Sequence, residues 1–323
     1  MSRSPYTQEA DYVQTMAQSV APFWQQRQSG NHLTAQGTRL YWCSITSPTH
    51  HKALLILNGR VESVVKYQEL FYEFFQQGYD IYSYDHRGQG LSERCCAHCD
   101  IGHIEHFNDY VNDLQQMVEF FALDKYQHRY MLAHSMGGAI ALRYLQQYPQ
   151  HPFDALAASA PMIGLPVPTH LRPIAIPYTY WLSKKSHQPS YAPGHGPYQA
   201  KPFVDNPLCH SQVRYQWFRQ LYQENPHLQT GGPSSRWVWQ SLSALRHLYR
   251  DAPKLKIPLL ILQAGHDQIV DNRAQVRFAR RLNKYQPQAR LVTIAGAKHE
   301  LLFEADTYRN QALEQIGHFF AHN

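Results

Sequence analysis

Tyr130-Met131-Leu132-Ala133-His134-Ser135-Met136-Gly137-Gly138-Ala139-Ile140 is the stretch that decides the fold. An apolar run with the character of a buried strand passes through a corner of small residues into Ala139-Ile140-Ala141-Leu142-Arg143-Tyr144-Leu145, whose pattern is helical. Strand, tight turn and helix with Ser135 at the tip is the form in which a nucleophilic serine is held on a sharp, strained corner. So sharp a turn leaves no space for side chains two positions before and after the serine. Gly137 fills the second of those positions, while Ala133 stands where the G-x-S-x-G pattern has its first glycine. A five-residue pattern also arises by chance at strand-helix junctions, so the remaining chemistry must be found elsewhere in the chain.

Apolar runs on either side of this stretch repeat its rhythm. Strand signals occur at Leu40-Tyr41-Trp42-Cys43-Ser44-Ile45, Ala53-Leu54-Leu55-Ile56-Leu57 and Tyr79-Asp80-Ile81-Tyr82-Ser83-Tyr84, the last two separated by a helical pattern built on Leu70, Phe71, Phe74 and Phe75. A second helix is expected over about 108–123, with Val111, Leu114, Val118 and Phe121 on one face, and a strand at Ala155-Leu156-Ala157-Ala158-Ser159. The first forty residues read as polar and irregular apart from Val20-Ala21-Pro22-Phe23-Trp24. Strands alternating with helices predict a mostly parallel α/β sheet covered on both faces.

The rhythm breaks between Met162 and Arg250. Twelve of the twenty prolines fall between Pro161 and Pro233, and four of the six tryptophans (Trp181, Trp217, Trp237, Trp239) lie before Arg250 in the same part of the chain, which marks it as an insertion. The division expected is a first core part over 1–161, an inserted cap or lid over 162–250 and a second core part over 251–323. The alternation resumes with Pro258-Leu259-Leu260-Ile261-Leu262, a helix over about 272–282, Arg290-Leu291-Val292-Thr293-Ile294 and a final helix ending near Phe320.

A serine hydroxyl is a weak nucleophile near neutral pH and needs a base within hydrogen-bond reach, itself oriented by a third group. In the elbow fold the order along the chain is Ser, then Asp or Glu, then His. Strand 258–262 runs into Gly265-His266-Asp267-Gln268-Ile269-Val270-Asp271, and strand 290–294 into Ala297-Lys298-His299-Glu300-Leu301, so both expected partners lie just past carboxyl ends of strands. The expected roles are Ser135 as nucleophile, His299 as general base and then acid, and Asp267 as the carboxylate that orients the imidazole. Asp271 directly precedes a helix and suits a capping role. His134 and His266 compete for the base, but one neighbours the nucleophile and the other the acid. Two backbone N–H groups are expected to hold the oxyanion, that of Met136 after the nucleophile and that of Arg60 after Asn58-Gly59.

These blocks together resemble a known group. Asn58-Gly59-Arg60-Val61-Glu62-Ser63, Asp85-His86-Arg87-Gly88-Gln89-Gly90-Leu91-Ser92, His134-Ser135-Met136-Gly137-Gly138, Gly265-His266-Asp267-Gln268-Ile269-Val270 and His299-Glu300-Leu301-Leu302 look like the monoglyceride lipase and lysophospholipase branch of the α/β-hydrolases, most of all its bacterial lysophospholipase L2 proteins. Gly231-Gly232-Pro233 and Arg236-Trp237-Val238 in the insertion share that likeness. The resemblance runs from about residue 35 to the end and implies Ser135, Asp267 and His299 as the triad. Two positions depart from the pattern: Ala133, and Asn58, which stands where monoglyceride lipases carry a histidine. The second departure turns the expected substrate towards a lysophospholipid, with hydrolysis of a monoacylglycerol or short carboxylic ester as the alternative and a non-catalytic binding protein of the same fold as a remote one.

Composition bounds the setting. A hydrophobic content of 43% and a charged content of 17% belong to a globular chain. The first residues lack the apolar stretch of a secretory signal, no run of about eighteen apolar residues occurs, and the five cysteines are irregularly spaced. These features predict a cytoplasmic protein with reduced thiols. A net charge of +6 and a pI near 9.0 suit peripheral contact with an anionic inner membrane face as well as an ordinary solvated surface. Cys95, Cys96 and Cys99, with His98, His103 and His106, raise the question of zinc, but no second ligand pair follows at the usual spacing. The expected chemistry uses no metal and no cofactor, and the expected partner is a small acyl ester, not a nucleic acid.

Overall fold

The computed structural model describes residues 5–94, 100–167, 172–185, 188–286 and 289–323. Eight strands among these, β1 (Gln28–Leu33), β2 (Arg39–Ile45), β3 (Lys52–Leu57), β4 (Tyr79–Tyr84), β5 (His128–His134), β6 (Ala155–Ser159), β7 (Leu259–Ala264) and β8 (Ala289–Ile294), form one sheet in the order β1-β2-β4-β3-β5-β6-β7-β8. β2 runs antiparallel to both β1 and β4, and all other neighbours are parallel. The helices are α1 (Tyr12–Thr15), α2 (Ala21–Trp24), α3 (Gln68–Gln76), α4 (Phe107–Phe121), α5 (Met136–Gln147), α6 (Arg172–Lys184), α7 (Gln212–Glu224), α8 (Ser235–Arg250), α9 (Asn272–Leu282) and α10 (Asp306–Ala321).

The central strands are apolar without interruption because both faces of the sheet are covered. Successive residues feed two separate cores. Leu55, Leu57, Met131, Ala133, Leu156, Ala158 and Ile261 enter the core that holds buried faces of α4, α5, α8 and α9. Leu54, Ile56, Tyr130, Leu132, Ala157, Leu260 and Leu262 enter the other, with Leu70, Phe71 and Phe74 of α3 and Leu313, Ile316 and Phe320 of α10. This period-two division is the pleat at work, and it fixes the register of every strand end at which chemistry could sit.

The N-terminal region is more ordered than its polar sequence implies. α1 and α2 bury Tyr12, Phe23 and Trp24, and β1 pairs along its length with β2 although its side chains are exposed or half-buried. An edge strand held by backbone bonds needs no alternation of apolar residues, so the sequence carries no signal for it. Thr7 donates its hydroxyl to Glu69 and Glu73, and Arg309 of α10 grips Glu73 with its Nη2 at 2.7 Å, so the N-terminal segment is tied to α3 and α10 inside the protein.

Between β6 and β7 the chain forms α6, α7 and α8. α6 lies along α8, where Tyr180 and Trp239 meet with ring centroids 4.9 Å apart. α8 sends Trp237, Leu245 and Leu248 into the same core as α4 and α5. Arg94 fastens the later part of this segment to the loop after β4, donating to the carbonyls of His227 and Gln229 at 2.5 and 3.1 Å and to Thr230 Oγ1 at 2.7 Å. No helix among the described residues is long and apolar enough to cross a membrane.

Candidate active site

Ser135 follows β5 and caps α5 with φ 51° and ψ −115°, a left-handed conformation for a residue with a side chain. Such backbone costs on the order of 1–3 kcal/mol and persists only where the surroundings impose it. Here the constraint is visible: the Ser135 N–H donates to Ser159 O at 3.0 Å, and the Met162 N–H donates to Ser135 O at 2.8 Å. A Cβ on Gly137 would lie 2.5 Å from Asn58 O and 2.6 Å from Leu57 O, so only glycine fits there. Ala133, fully buried between Leu57 of β3 and Ala158 of β6, accepts its methyl group at the position where the sequence pattern expects glycine.

Three strand ends meet at this corner. His299 Nε2 lies 3.0 Å from Ser135 Oγ, and His299 Nδ1 lies 2.8 Å from Asp267 Oδ2. With Nδ1–H donating to the carboxylate, Nε2 is the free acceptor for the serine hydroxyl proton. The other Asp267 oxygen accepts from the N–H groups of Ile269 and Val270 at 2.8 and 3.1 Å, which fixes the carboxylate plane. Burial of Asp267 opposes its charge, but the bond and the charge of His299, with these two N–H groups, hold the carboxyl below its usual value.

The competing residues occupy other roles. Asp271 Oδ1 accepts from the N–H groups of Arg273 and Ala274 at 2.9 and 3.3 Å and caps α9. His266 is exposed. His134 is buried, its Nδ1 bonded to Ser159 O at 3.2 Å, and burial above all pushes its pKa down to about 4, leaving it neutral.

The loop after β3 lies against the start of α5, as the contacts about Gly137 show, and a Cβ on Gly59 would come within 3.1 Å of His134 Cδ2. Among the described residues, neither the Met136 N–H at the first position of α5 nor the Arg60 N–H donates to a protein acceptor. Both are therefore available to a developing oxyanion, and the positive end of α5 adds to them.

Charged residues buried beneath this loop brace it, and their roles were not legible in the sequence. Asp85 accepts from the Val64 and Leu91 N–H groups at 2.7 and 2.8 Å, Ser63 Oγ at 2.8 Å and Asn58 Nδ2 at 2.9 Å. Burial raises its pKa to about 6 against the pull of those four donors. Asn58 is fully buried, with its Nδ2 turned towards Asp85. Glu62 accepts from the Gly59 N–H at 2.5 Å and from Tyr67 Oη at 2.6 Å, and pairs with Lys66 Nζ at 2.7 Å. Lys66, only 1% exposed, also pairs with Glu300 at 2.9 Å, the residue after His299. Burial opposes the charge on Lys66, but Glu300 and Glu62 together raise its pKa, while Glu62 is drawn down to about 2. The i,i+4 spacing of Glu62 and Lys66 among apolar residues is the signal that could have drawn attention to them.

Lys66→Met is expected to leave two carboxylates buried without their cation and to lower unfolding free energy by about 3–5 kcal/mol. Urea unfolding followed by fluorescence measures this directly, and a loss below about 1 kcal/mol would assign Lys66 no bracing role.

The cysteines Cys95, Cys96 and Cys99 lie outside the described residues, as does His98. His103 is occupied by Ser234 Oγ at 2.8 Å and Glu105 Oε1 at 3.0 Å. Among the described residues, no three His, Cys, Asp or Glu side chains are grouped to hold a metal ion, and Cys43 and Cys209 are buried free thiols.

Comparison with known proteins agrees with this architecture. Residues 48–306 match the hydrolase family described as serine aminopeptidase, S33. The chain is 37% identical over 311 residues to lysophospholipase L2 of Escherichia coli strain K12, covering 93% of this chain and 89% of that protein. It is 34% identical over 322 residues to a Haemophilus influenzae protein named "Probable lysophospholipase L2", covering 99% and 98% of the two chains. A soluble variant of monoglyceride lipase from Saccharomyces cerevisiae, solved with a substrate analogue, superposes with a TM-score of 0.70 at 19% identity over 91% of this chain and 96% of that one. The fold is that of the α/β-hydrolases.

Proposed function

The chain belongs to the serine aminopeptidase S33 family, within which its lysophospholipase L2 relatives match it over nearly their whole length, and from that premise we propose that it cleaves the fatty-acyl ester of lysophospholipids through an acyl-enzyme. The observation that carries the chemistry is the relay from Ser135 Oγ to His299 at 3.0 Å and from His299 to Asp267 at 2.8 Å. Ser135 attacks the ester carbonyl carbon while His299 Nε2 takes its proton. The oxyanion rests between the N–H groups of Arg60 and Met136. Collapse breaks the acyl C–O bond, and His299 returns the proton to the departing glycerophosphodiester oxygen. Water, deprotonated by His299, then attacks the acyl carbon, the ester bond to Ser135 Oγ breaks as His299 returns the proton to that oxygen, and the fatty acid is released.

The acyl chain needs an apolar, water-poor path. A groove of about 440 Å³ between α6, α8 and α9 is lined by Ile163, Leu165, Ile176, Leu242 and Tyr249 together with Arg246, Asp271 and Arg277, and none of Ser135, Asp267 and His299 lines it, so the acyl path is assigned to the cap as a whole and not to this groove. The segment over 162–250 acts as the cap, with the α6 side presenting the lipid entrance. The net charge of +6 supports peripheral contact with an anionic membrane face, on this reading the cytoplasmic one. Exposed Trp181, Tyr178 and Ile174 on α6 support that orientation.

A matched panel tests substrate choice. With one acyl chain throughout, kcat/KM for a lysophospholipid should exceed that for the monoacylglycerol by about tenfold or more, the value of roughly one charge-assisted hydrogen bond. Equal or inverted preference would assign the enzyme to monoacylglycerol or simple ester hydrolysis.

A further inference from the structure

Arg60 follows Gly59 at the end of β3, and only its main-chain N–H is used in the chemistry above. Its side chain is half-buried, with Nη1 donating to Gly231 O at 3.0 Å and the guanidinium carbon 5.3 Å from the Trp237 ring centroid. These contacts hold the planar fork in place. They leave Nε and Nη2 without a protein acceptor among the described residues.

Among the described residues the charge of Arg60 also has no carboxylate partner. Arg87 pairs with Asp113, Arg143 with Asp251, Arg214 with Glu69 and Arg309 with Glu73, whereas half-buried Arg219 and Arg281 share with Arg60 the lack of a carboxylate partner among the described residues but spend their guanidinium groups on tyrosine hydroxyls and on Tyr249 O. Among the described residues no carboxylate forms an ion pair with Arg60, and the residues outside that set (1–4, 95–99, 168–171, 186–187 and 287–288) contain no Asp or Glu. Asp100, on the adjoining loop, is occupied by Tyr191 Oη and the Tyr198 N–H. Glu62, two residues on, is occupied by Lys66, Tyr67 and the Gly59 N–H.

Burial lowers the pKa of Arg60 to about 10, opposed only by Tyr110. Burial together with Arg60 and Lys201 lowers the pKa of His195, which sits against Gly232. A half-buried cation on the oxyanion loop, held in place by Gly231 O and Trp237 with Nε and Nη2 lacking a protein acceptor among the described residues, has room for one anion.

We propose that the Arg60 guanidinium binds the phosphodiester oxygens of the lysophospholipid headgroup, so that one residue holds the ester by its main chain and the headgroup by its side chain. The inference rests on the reading of Ser135, His299 and Asp267 as an esterase site. A phosphodiester offers two non-bridging oxygens to a planar fork, a geometry that lysine does not match. A monoacylglycerol offers nothing charged to the same nitrogens.

Arg60→Met and Arg60→Lys test this, since both keep the oxyanion N–H. The readout is the ratio of kcat/KM for 1-palmitoyl lysophosphatidylethanolamine to that for 1-palmitoylglycerol. In Arg60→Met the ratio should fall about 30-fold, about 2 kcal/mol at 1.36 kcal/mol per decade, through KM more than kcat, with Arg60→Lys between it and wild type. Inhibition by glycerophosphoethanolamine should weaken in step, while inorganic phosphate should compete poorly with both enzymes. An unchanged ratio, with both substrates falling together, would overturn the headgroup role. So would inorganic phosphate competing as strongly as the glycerophosphodiester, which would make this a free-anion site. Should Arg60→Met unfold, an unchanged ratio in Arg60→Lys would overturn the headgroup role equally. A wild-type enzyme inactive on both esters removes the esterase reading beneath the proposal instead.

Discussion

Ser135→Ala is expected to lower kcat for ester hydrolysis by about 10⁴–10⁶-fold and to abolish labelling by a fluorophosphonate. The serine is the atom source for the covalent intermediate, and alanine offers no oxygen to replace it. What turnover remains would come from binding and from the two oxyanion N–H groups, which the substitution does not disturb. The fold should survive, because among the described residues Ser135 Oγ bonds only to His299 and the main-chain bonds to Ser159 and Met162 are unaffected. Ser135→Gly adds a second readout. At φ 51° a glycine relieves strain that a side chain endures, so this inactive variant should unfold about 1 kcal/mol less readily than wild type. Activity retained in either variant would remove Ser135 from the mechanism.

Asp267→Asn is expected to reduce kcat by about 10⁴-fold with little change in the fold. An asparagine amide can donate to His299 Nδ1, which stabilises the tautomer with its proton on Nε2 and leaves no acceptor for the serine. The carboxylate also stabilises the imidazolium formed during attack, and a neutral amide does not. Asp271→Asn is the control, because asparagine caps a helix about as well as aspartate and turnover should stay within about threefold. Equal losses from both substitutions would mean that the loop tolerates no change, and the particular role of Asp267 would fall. Near-silence of Asp267→Asn beside a damaging Asp271→Asn would exchange the two assignments.

Much of this arrangement is legible along the chain because each part rests on local rules. Strands β3, β5, β6 and β7 are apolar on both faces and announce themselves as short continuous runs. Ser135 and Asp267 stand just beyond such runs and His299 just beyond β8, an edge strand of mixed burial, and the parallel register of the sheet then brings those ends together. The helical face of Val111, Leu114, Val118 and Phe121 is buried as its spacing predicts. β1 left no such trace, since Gln28, Ser29 and Asn31 pair through their backbones at an exposed edge.

The buried charges were hidden for a different reason. Glu62 and Lys66 are close in sequence, but their third member, Glu300, is brought beside them only by the folded sheet. The same holds for Asn58, whose change from the monoglyceride lipase pattern suggested a direct hand in substrate choice. Its Nδ2 donates to Asp85, a partner that the sequence alone does not reveal.

The central claim is that an acyl group passes through Ser135. Rapid acid quenching of the enzyme with a lysophosphatidylethanolamine, followed by protease digestion and mass spectrometry, tests it most directly. The expected result is a fatty-acyl mass on the peptide carrying Ser135, formed before free fatty acid reaches its steady rate and absent in Ser135→Ala. A phosphoryl mass on that peptide, an acyl group on another residue, or full turnover with no adduct under conditions that trap one on a nitrophenyl ester would contradict it.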